Sequence, residues 1–508
     1  MTLVVTDTDQ KVKKIETGIP GFDLISHGGL PENRTTLLSG TAGSAKTVFA
    51  TQFLSAGVMQ YGQAGVFVTF EESLNDIRNN VKDFGWTIEQ WEKENKWAFV
   101  DASPQPDIEI REVGQYDLGA LIARIEEAVR RVGAKRVSLD SLGAIFNQFS
   151  DASIIRSELF RIASALKMMN VTALLTAERT QEYGEIGRFG IEEFVADNVI
   201  ILRNVLEEEK RRRTMEILKL RGTSHQKGEF PFTIQPNKGI IGLPLSAIEL
   251  KQRSSNMRVS SGNEKLDEMC GGGFFRDSVI LVSGATGTGK TLTVTTFIAG
   301  ISPNAEDRCL LFAFEESREQ LFRNASGWGV NMEEMEKNGS LKVVCQYPEI
   351  NGLEEHLLQI KEAINAFKPT RVAIDSFSAL ERVSSQRSFR EFVIGLTSFI
   401  KDKEITGLFT STTETLLGGT SITEAHISTI TDSIILLRYV ETCGEMRRGL
   451  TVLKMRGSRH DKDIRELKID GKGMHIGKPY RNISGILSGV PTYISTQELD
   501  RLEKLFND

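Results

Sequence analysis

The chain writes the same phosphate-cradling loop twice. Gly284-Ala285-Thr286-Gly287-Thr288-Gly289-Lys290-Thr291 is a complete G-x-x-x-x-G-K-T loop, and Gly40-Thr41-Ala42-Gly43-Ser44-Ala45-Lys46-Thr47 stands 244 residues upstream. Each follows an apolar, strand-like run (Thr35 to Leu38; Val279 to Val282) and opens a helical pattern, the context such a loop requires. Glycines let successive backbone N–H groups turn inward as a nest for phosphate oxygens, and the helix N-terminus adds partial positive charge. The lysine reaches the β- and γ-phosphates, and the Thr47 or Thr291 hydroxyl serves as a Mg²⁺ ligand. Two ATP sites are therefore predicted. Gly43, Ser44, Ala45, Lys46 and Thr47 form the first, and Thr286, Gly287, Thr288, Gly289, Lys290, Thr291 and Leu292 the second.

The repeat extends beyond the loops. An acidic pair ends a strand 25 residues after each lysine: Glu71-Glu72 after Phe67 to Phe70, and Glu315-Glu316 after Phe312 to Phe314. Later, Arg136 to Asp140 and Arg371 to Asp375 each read as an apolar strand ending in one Asp, followed by Ser. A lone strand-terminal Asp is commonly a solvated carboxylate. Paired with a P-loop in each half, Asp140 and Asp375 read as the second Mg²⁺-directing group. For the tandem glutamates, a charge favoured by a helix N-terminus is the alternative for one member of each pair.

At 508 residues the chain exceeds what one core usually supports, and the repeat offset divides it in two. Alternating strand and helix periods (Leu118, Leu121, Ile122, Ile125 and Val129; Arg136 to Asp140; Val171 to Leu175; Ile360, Ile364, Phe367) predict an α/β fold with mainly parallel sheets. The expected boundaries are a first domain over 1–249, a Ser-rich basic linker over 250–260, a second domain over 261–480, and a C-terminal loop and tail over 481–508. Beyond about Gly473 the pattern looks irregular, with a short charged helix expected within Thr496 to Phe506.

The formal net charge is −6, which weighs against a broad nucleic-acid surface. The basic run Lys210 to Arg213 follows Glu207 to Glu209 and reads as a solvated hairpin edge. Four cysteines, none in C-x-x-C spacing or beside the six histidines, imply neither zinc nor a disulfide framework. No apolar signal core or membrane-length run is visible, so the expectation is a cytoplasmic chain. Asp83-Phe84-Gly85 spells a protein-kinase triplet, but no H-R-D loop or V-A-I-K strand accompanies it.

Near the end of each half stands Leu218-Lys219-Leu220-Arg221-Gly222-Thr223-Ser224-His225 and Leu453-Lys454-Met455-Arg456-Gly457-Ser458-Arg459-His460, at an offset of 235. Alternation puts Lys and Arg on one strand face. Edge-strand lysines that discourage aggregation are one reading. The recurrence in both halves favours another, a guanidinium that stabilises phosphate charge on a neighbouring subunit, which implies a ring.

These modules, their tandem glutamates and Lys-x-Arg-Gly segments, from about Thr17 to Thr492, resemble the KaiC family of circadian clock ATPases. The most specific stretch is Ser421 to Asp432, similar to that family's phosphorylation segment. The resemblance implies a double-ring homohexamer of RecA-like modules that binds ATP and Mg²⁺ at subunit interfaces. It implies hydrolysis in the N-terminal ring and reversible autophosphorylation in the C-terminal ring, on Ser428 and Thr429 with Thr423 as a transient acceptor. Glu71 and Glu315 match the catalytic bases, with Glu72 and Glu316 supporting, and Glu315 joins Thr47, Asp140, Thr291 and Asp375 among the metal-directing positions. Lys219, Leu220, Arg221, Thr223 and His225 match nucleotide-contacting positions of the first module. Trp328, Arg448, Lys454, Met455, Arg456, Ser458 and His460 match those of the second.

Two departures stand out. Ala45 replaces the last P-loop glycine, where a methyl group is expected to crowd the phosphate. The tail after Ile494 is short and does not closely match the family's KaiA-binding peptide, although Ile483 to Ile494 resembles the loop before it. A KaiA-like partner is thus left undecided, while a KaiB-like partner at Glu112 to Leu118 is implied. Competing classes are a RecA- or DnaB-like DNA-dependent ATPase, since fold alone does not fix function, and a KaiC-type signalling ATPase outside a clock.

Overall fold

The computed structural model describes residues 12–103, 118–146, 151–187, 195–207, 209–244, 254–302, 307–413, 427–442, 444–481, 483–486 and 492–493. The chain divides into two units, Met1–Ala247 and Ile248–Asp508.

The first unit is built on nine strands: β1 (Thr35–Gly40), β2 (Gly65–Thr69), β3 (Trp97–Asp101), β4 (Arg136–Asp140), β5 (Thr172–Glu178), β6 (Asn198–Glu207), β7 (Lys210–Leu220), β8 (Glu229–Gln235) and β9 (Gly239–Gly242). Their order in the sheet is β9-β8-β7-β6-β1-β5-β4-β2-β3. The six strands from β6 to β3 run parallel, and β7, β8 and β9 extend them antiparallel. Parallel strands covered on both faces read as continuous apolar runs, which is why Thr35 to Gly40 shows no alternation and is buried throughout.

Helix α1 (Lys46–Tyr61) follows the first P-loop and is buried at every position from Phe49 to Gly57, as a helix enclosed by the core must be. It packs on β4, β2 and β9. Helix α2 (Leu118–Val132) is amphipathic instead, burying Leu118, Leu121, Ile125, Ala128 and Val129 at the predicted helical spacing.

The second unit repeats the plan with β10 (Val279–Gly284), β11 (Cys309–Ala313), β12 (Leu341–Cys345), β13 (Arg371–Asp375), β14 (Thr406–Thr412), β15 (Ser433–Thr442), β16 (Glu445–Met455), β17 (Arg465–Asp470) and β18 (Gly473–Pro479). The order β12-β11-β13-β14-β10-β15-β16-β17-β18 matches the first sheet strand for strand. Each half is thus a RecA-like α/β sheet with its P-loop strand central. Strand β18 corrects the expectation of irregular chain beyond Gly473, because its partner β17 supplies the register that periodicity alone lacks. Arg258–Val259, at the end of the expected linker, pairs with Phe274–Phe275 and so belongs to the second sheet unit.

Candidate functional site

Both P-loops sit at the carboxyl end of the central strand, where open α/β sheets place ligands. Lys46 Nζ donates to Gly40 O and Thr41 O, both at 2.9 Å, and Lys290 Nζ donates to Gly284 O at 3.0 Å and Ala285 O at 3.1 Å. Each ammonium is folded onto its own loop, where phosphate oxygens would compete for it. Burial pulls both lysines below the ordinary value. Glu178, Asp140, Glu182 and Glu71 oppose that shift at Lys46, but only Asp375 and Glu315 do so at Lys290.

The Ser44 and Thr288 hydroxyls are turned back onto their own loops. Ser44 Oγ donates to Thr41 O and Thr288 Oγ1 to Ala285 O, both at 2.7 Å, and both side chains are fully buried. They close the loop, leaving phosphate recognition to backbone N–H groups. Leu292 is likewise a core side chain.

Ala45 adopts the left-handed conformation (φ 74°) that Gly289 adopts at the matching helix start (φ 111°). A Cβ built on Gly289 would meet Ile469 Cδ1 at 3.0 Å. The matching pair in the first half, Ala45 and Ile234, packs against the core. At Gly289, then, a methyl group would point toward an apolar side chain, and Ala45 holds the matching place in the first half.

The strand-terminal aspartates meet the loop helices directly. Thr47 Oγ1 donates to Asp140 Oδ2 at 2.6 Å and Thr291 Oγ1 to Asp375 Oδ2 at 2.8 Å, while Thr176 and Thr410 donate to the other carboxylate oxygens. A hydroxyl beside a carboxylate suits Mg²⁺, which takes few protein oxygens and keeps water and phosphate for its remaining positions. Burial pushes the Asp375 carboxyl up, against the two threonine hydroxyls. Among the described residues no group of three or more His, Cys, Asp or Glu is placed to hold a metal.

In the second half a cavity of about 390 Å³ gathers Gly287, Lys290, Thr291, Glu315, Glu316, Trp328, Asp375, Thr412 and Arg448. The two glutamates of that half are not equivalent. Ser376 Oγ donates to Glu315 Oε2 at 2.8 Å, and Arg382 is ion-paired with Oε1. Both Glu315 oxygens are thus engaged within the chain, and each keeps a lone pair for a proton or a metal ion. Burial pushes Glu316 up, reinforced by Asp375 and opposed by a hydrogen bond from Asn324. In the first half burial pushes Glu71 up, helped by Glu178, Asp140 and Glu72 and opposed by Lys46. Burial and Asp140 push Glu72 up, against a hydrogen bond from Asn80.

The Lys-x-Arg segments are nowhere near these loops on their own chain. Leu220 pairs with Asn198, and Asn198 with Thr36, so the segment lies at the amino end of β1; the loop begins at the other end. The four steps from Thr36 to Gly40 alone span about 13 Å at ~3.3 Å per residue. In the second half Met455 pairs with Ser433, and Ser433 with Ile280, with the same consequence. Strands β7 and β16 are internal to their sheets, but β8 pairs only with Arg213 to Glu216 and β17 only with Arg448 to Leu450, so the Lys-x-Arg ends run past those neighbours.

Lys219 Nζ donates to Ala196 O and Lys454 Nζ to Thr431 O; Arg221 and Arg456 lie against Asp197 and Asp432 with exposed side chains. Leu220 and Met455 are buried, so only their backbone is available to a nucleotide. Thr223 Oγ1 donates to Ser224 O and His225 Nδ1 meets Gln226 O, both local contacts, whereas Ser458 Oγ accepts from Arg258 on the strand that pairs with Phe274–Phe275. His460 follows the Arg456–Gly457 turn, outside any helix or strand.

One P-loop residue escaped the sequence reading. Arg213 Nε donates to Gly43 O at 3.2 Å, as Arg448 Nε does to Gly287 O at 3.1 Å. The 235 offset that maps Arg448 onto Arg213 was the available signal, masked by the basic run around it. Glu182 also supports the loop, accepting from Thr41 Oγ1 at 2.5 Å and Asn204 N at 3.0 Å. Thr423, the Ser428 side chain, residues 112–117 and the tail helix expected within 496–506 lie outside the described residues. Thr429 is exposed on the short helix Ile427–Ile430.

Two P-loops on RecA-like sheets, each with a hydroxyl–aspartate pair and a tandem glutamate, define a duplicated nucleotide-binding ATPase. A family model described as "ATPase: KaiC" matches residues 15–246 and again 259–481, and the chain belongs to that family. It is 68% identical over 497 residues to "Circadian clock protein KaiC3" of Synechocystis sp., covering 98% of each chain. It is 58% identical to "Circadian clock oscillator protein KaiC" of Thermosynechococcus vestitus, covering 97% of this chain and 95% of the relative. It is 56% identical to the protein of that name from Synechococcus elongatus, covering 98% and 95%. No helix among the described residues is long and apolar enough to cross a membrane.

Proposed function

We propose that this chain is a circadian clock ATPase and Ser/Thr autokinase that works as a homohexamer with ATP and Mg²⁺ at its subunit interfaces. The first half hydrolyses ATP with Glu71 as base and Glu72 in support. The second transfers phosphate from ATP held by Lys290 to Ser428 and Thr429 of an adjacent subunit, with Glu315 as base, Glu316 in support, and Thr423 as a transient acceptor. Mg²⁺, held through Thr47 and Asp140 or Thr291 and Asp375, would neutralise charge on the transferred phosphoryl group. Relatives named as clock proteins and nearly full-length similarity support the biological role. Family membership disfavours a DNA-dependent ATPase. A KaiB-like partner fits this reading, and a KaiA-like partner is left undecided by the divergent tail.

The observation that carries the kinase reading is the company the acceptors keep. Arg456 donates to Thr429 O at 2.7 Å, so acceptor segment and Lys-x-Arg strand form one patch at the sheet end opposite the P-loop. A patch that cannot reach its own nucleotide can present arginine and hydroxyls together to a neighbour's. At the same offset the first half has Glu193 and Phe194, without hydroxyls. Incubation with ATP and Mg²⁺ followed by phosphosite mass spectrometry is expected to find phosphate on Ser428 and Thr429, and little in Glu315→Gln. Equal occupancy in that variant, or none in the parent, removes the autokinase assignment.

A further inference from the structure

The two sites differ at one strand end that touches the P-loop in both halves. Strand β5 pairs Glu178 with Gly40, and strand β14 pairs Thr412 with Gly284, so Glu178 and Thr412 occupy the same place. Thr412 lines the second-half cavity together with Glu315 and Lys290. Glu178 is fixed at the mouth of the first loop by its own strand and by the next residue, since Arg179 N donates to Gly40 O at 3.1 Å.

Among the described residues the Glu178 carboxylate has no hydrogen-bond or ion-pair partner, and neither has that of Glu71. Yet Glu178 is the strongest charged influence on both Lys46 and Glu71. Both carboxylates are exposed and can be solvated without a partner, so what needs explaining is the asymmetry alone: an acid at the loop mouth in this half, Thr412 in the other. The attacking group supplies an explanation. Water carries two O–H bonds and is oriented best by two acceptors, whereas a Ser or Thr hydroxyl carries one and needs only the base.

We propose that Glu178 accepts the second O–H of the attacking water while Glu71 takes the first proton, and that this second acceptor commits the first-half site to hydrolysis. The water oxygen forms its bond to the γ-phosphorus as the bond to the β,γ-bridging oxygen breaks. One proton passes to Glu71, and the other leaves on the product phosphate. In the second half the neutral Thr412 supplies no second carboxylate, and a one-proton nucleophile is served by Glu315 alone. The inference rests on the proposed role of Glu71 as base.

The test uses the full chain in a Glu315→Gln background, so that phosphate release reports the first half. Glu178→Gln and Glu178→Thr are expected to lower kcat by about tenfold or more, the worth of one hydrogen bond to a charged acceptor, with KM unchanged. Glu178→Asp should recover part of the loss, and affinity for a fluorescent ATP analogue should hold within about twofold in all three. Turnover unchanged in Glu178→Gln, or a loss carried wholly by KM or nucleotide affinity, overturns the proposal. A parallel Glu71→Gln chain separates the two readings. If it is inactive while Glu178→Gln is fully active, the inference alone fails; if Glu71→Gln itself turns over normally, the base assignment fails and the inference with it.

Discussion

Arg136 and Arg371 occupy matching positions in the two halves and are made tolerable in the core by different means. Arg371 is ion-paired with Asp307 at 3.0 Å and donates to the carbonyls of Ser260, Phe297 and Gly300. Arg136 lies between the rings of Phe53 and Tyr61 and donates to Phe53 O and Gln63 Oε1; burial pulls its guanidinium down to about 10. Burial pushes the Asp307 carboxyl up, but hydrogen bonds from Arg371 and Thr370 outweigh it and hold the group below its ordinary value. A depressed carboxylate contributes stability above its unfolded pKa, near 3.9, and that contribution is lost as pH falls through the lower folded value. Asp307→Asn strands a buried guanidinium, which costs about 2–3 kcal/mol once partial exposure of the carboxylate is allowed for. Denaturation at pH 7 should show that loss in the second unit. The gap between variant and parent should narrow below about pH 4, as the parent's own carboxyl protonates.

At the scale of elements, the β7 and β16 strands brace the P-loops with Arg213 and Arg448 and carry the Lys-x-Arg segment at the other end. Arg213→Ala and Arg448→Ala should each weaken ATP binding in their own half by about three- to tenfold, the worth of a partly exposed charged hydrogen bond. Nucleotide titration of chains in which the other half is silenced at its P-loop lysine would measure it. Equal affinity in variant and parent would reduce the contact to surface packing.

The loops, Walker strands and amphipathic helices were legible because each is a local pattern: glycine spacing, an apolar run, a 3.6-residue period. Glu178, Arg213 and the Ser376–Glu315–Arg382 contacts were not, because each depends on which strand end or helix the sheet order brings alongside. Periodicity identifies β5 as a strand, but only its pairing with β1 puts Glu178 beside the loop, 138 residues after Gly40.

At the scale of the whole molecule, each P-loop and its Lys-x-Arg segment lie at opposite ends of one sheet, and under the proposed ring assembly a single chain is an incomplete enzyme. A closed ring of identical subunits supplies each loop with a neighbour's basic patch at every interface, with no unmatched surface left over. Lys46→Ala removes the loop's charge, and Arg221→Ala removes the guanidinium lent to the next subunit; in the Glu315→Gln background each homogeneous ring should lose most phosphate release. Mixed rings differ. Where the loop comes from an Arg221→Ala subunit and the guanidinium from a Lys46→Ala subunit, the interface is intact, although every chain present is a mutant. Random equimolar mixing places that arrangement at about one interface in four, so co-assembled variants should recover roughly a quarter of parental turnover. Co-purification of one variant, untagged, with the other carrying an affinity tag establishes that mixed rings have formed. Rings that mix but show no recovery would mean that Arg221 serves its own chain, leaving the exposed guanidinium beside Asp197 as a surface ion pair.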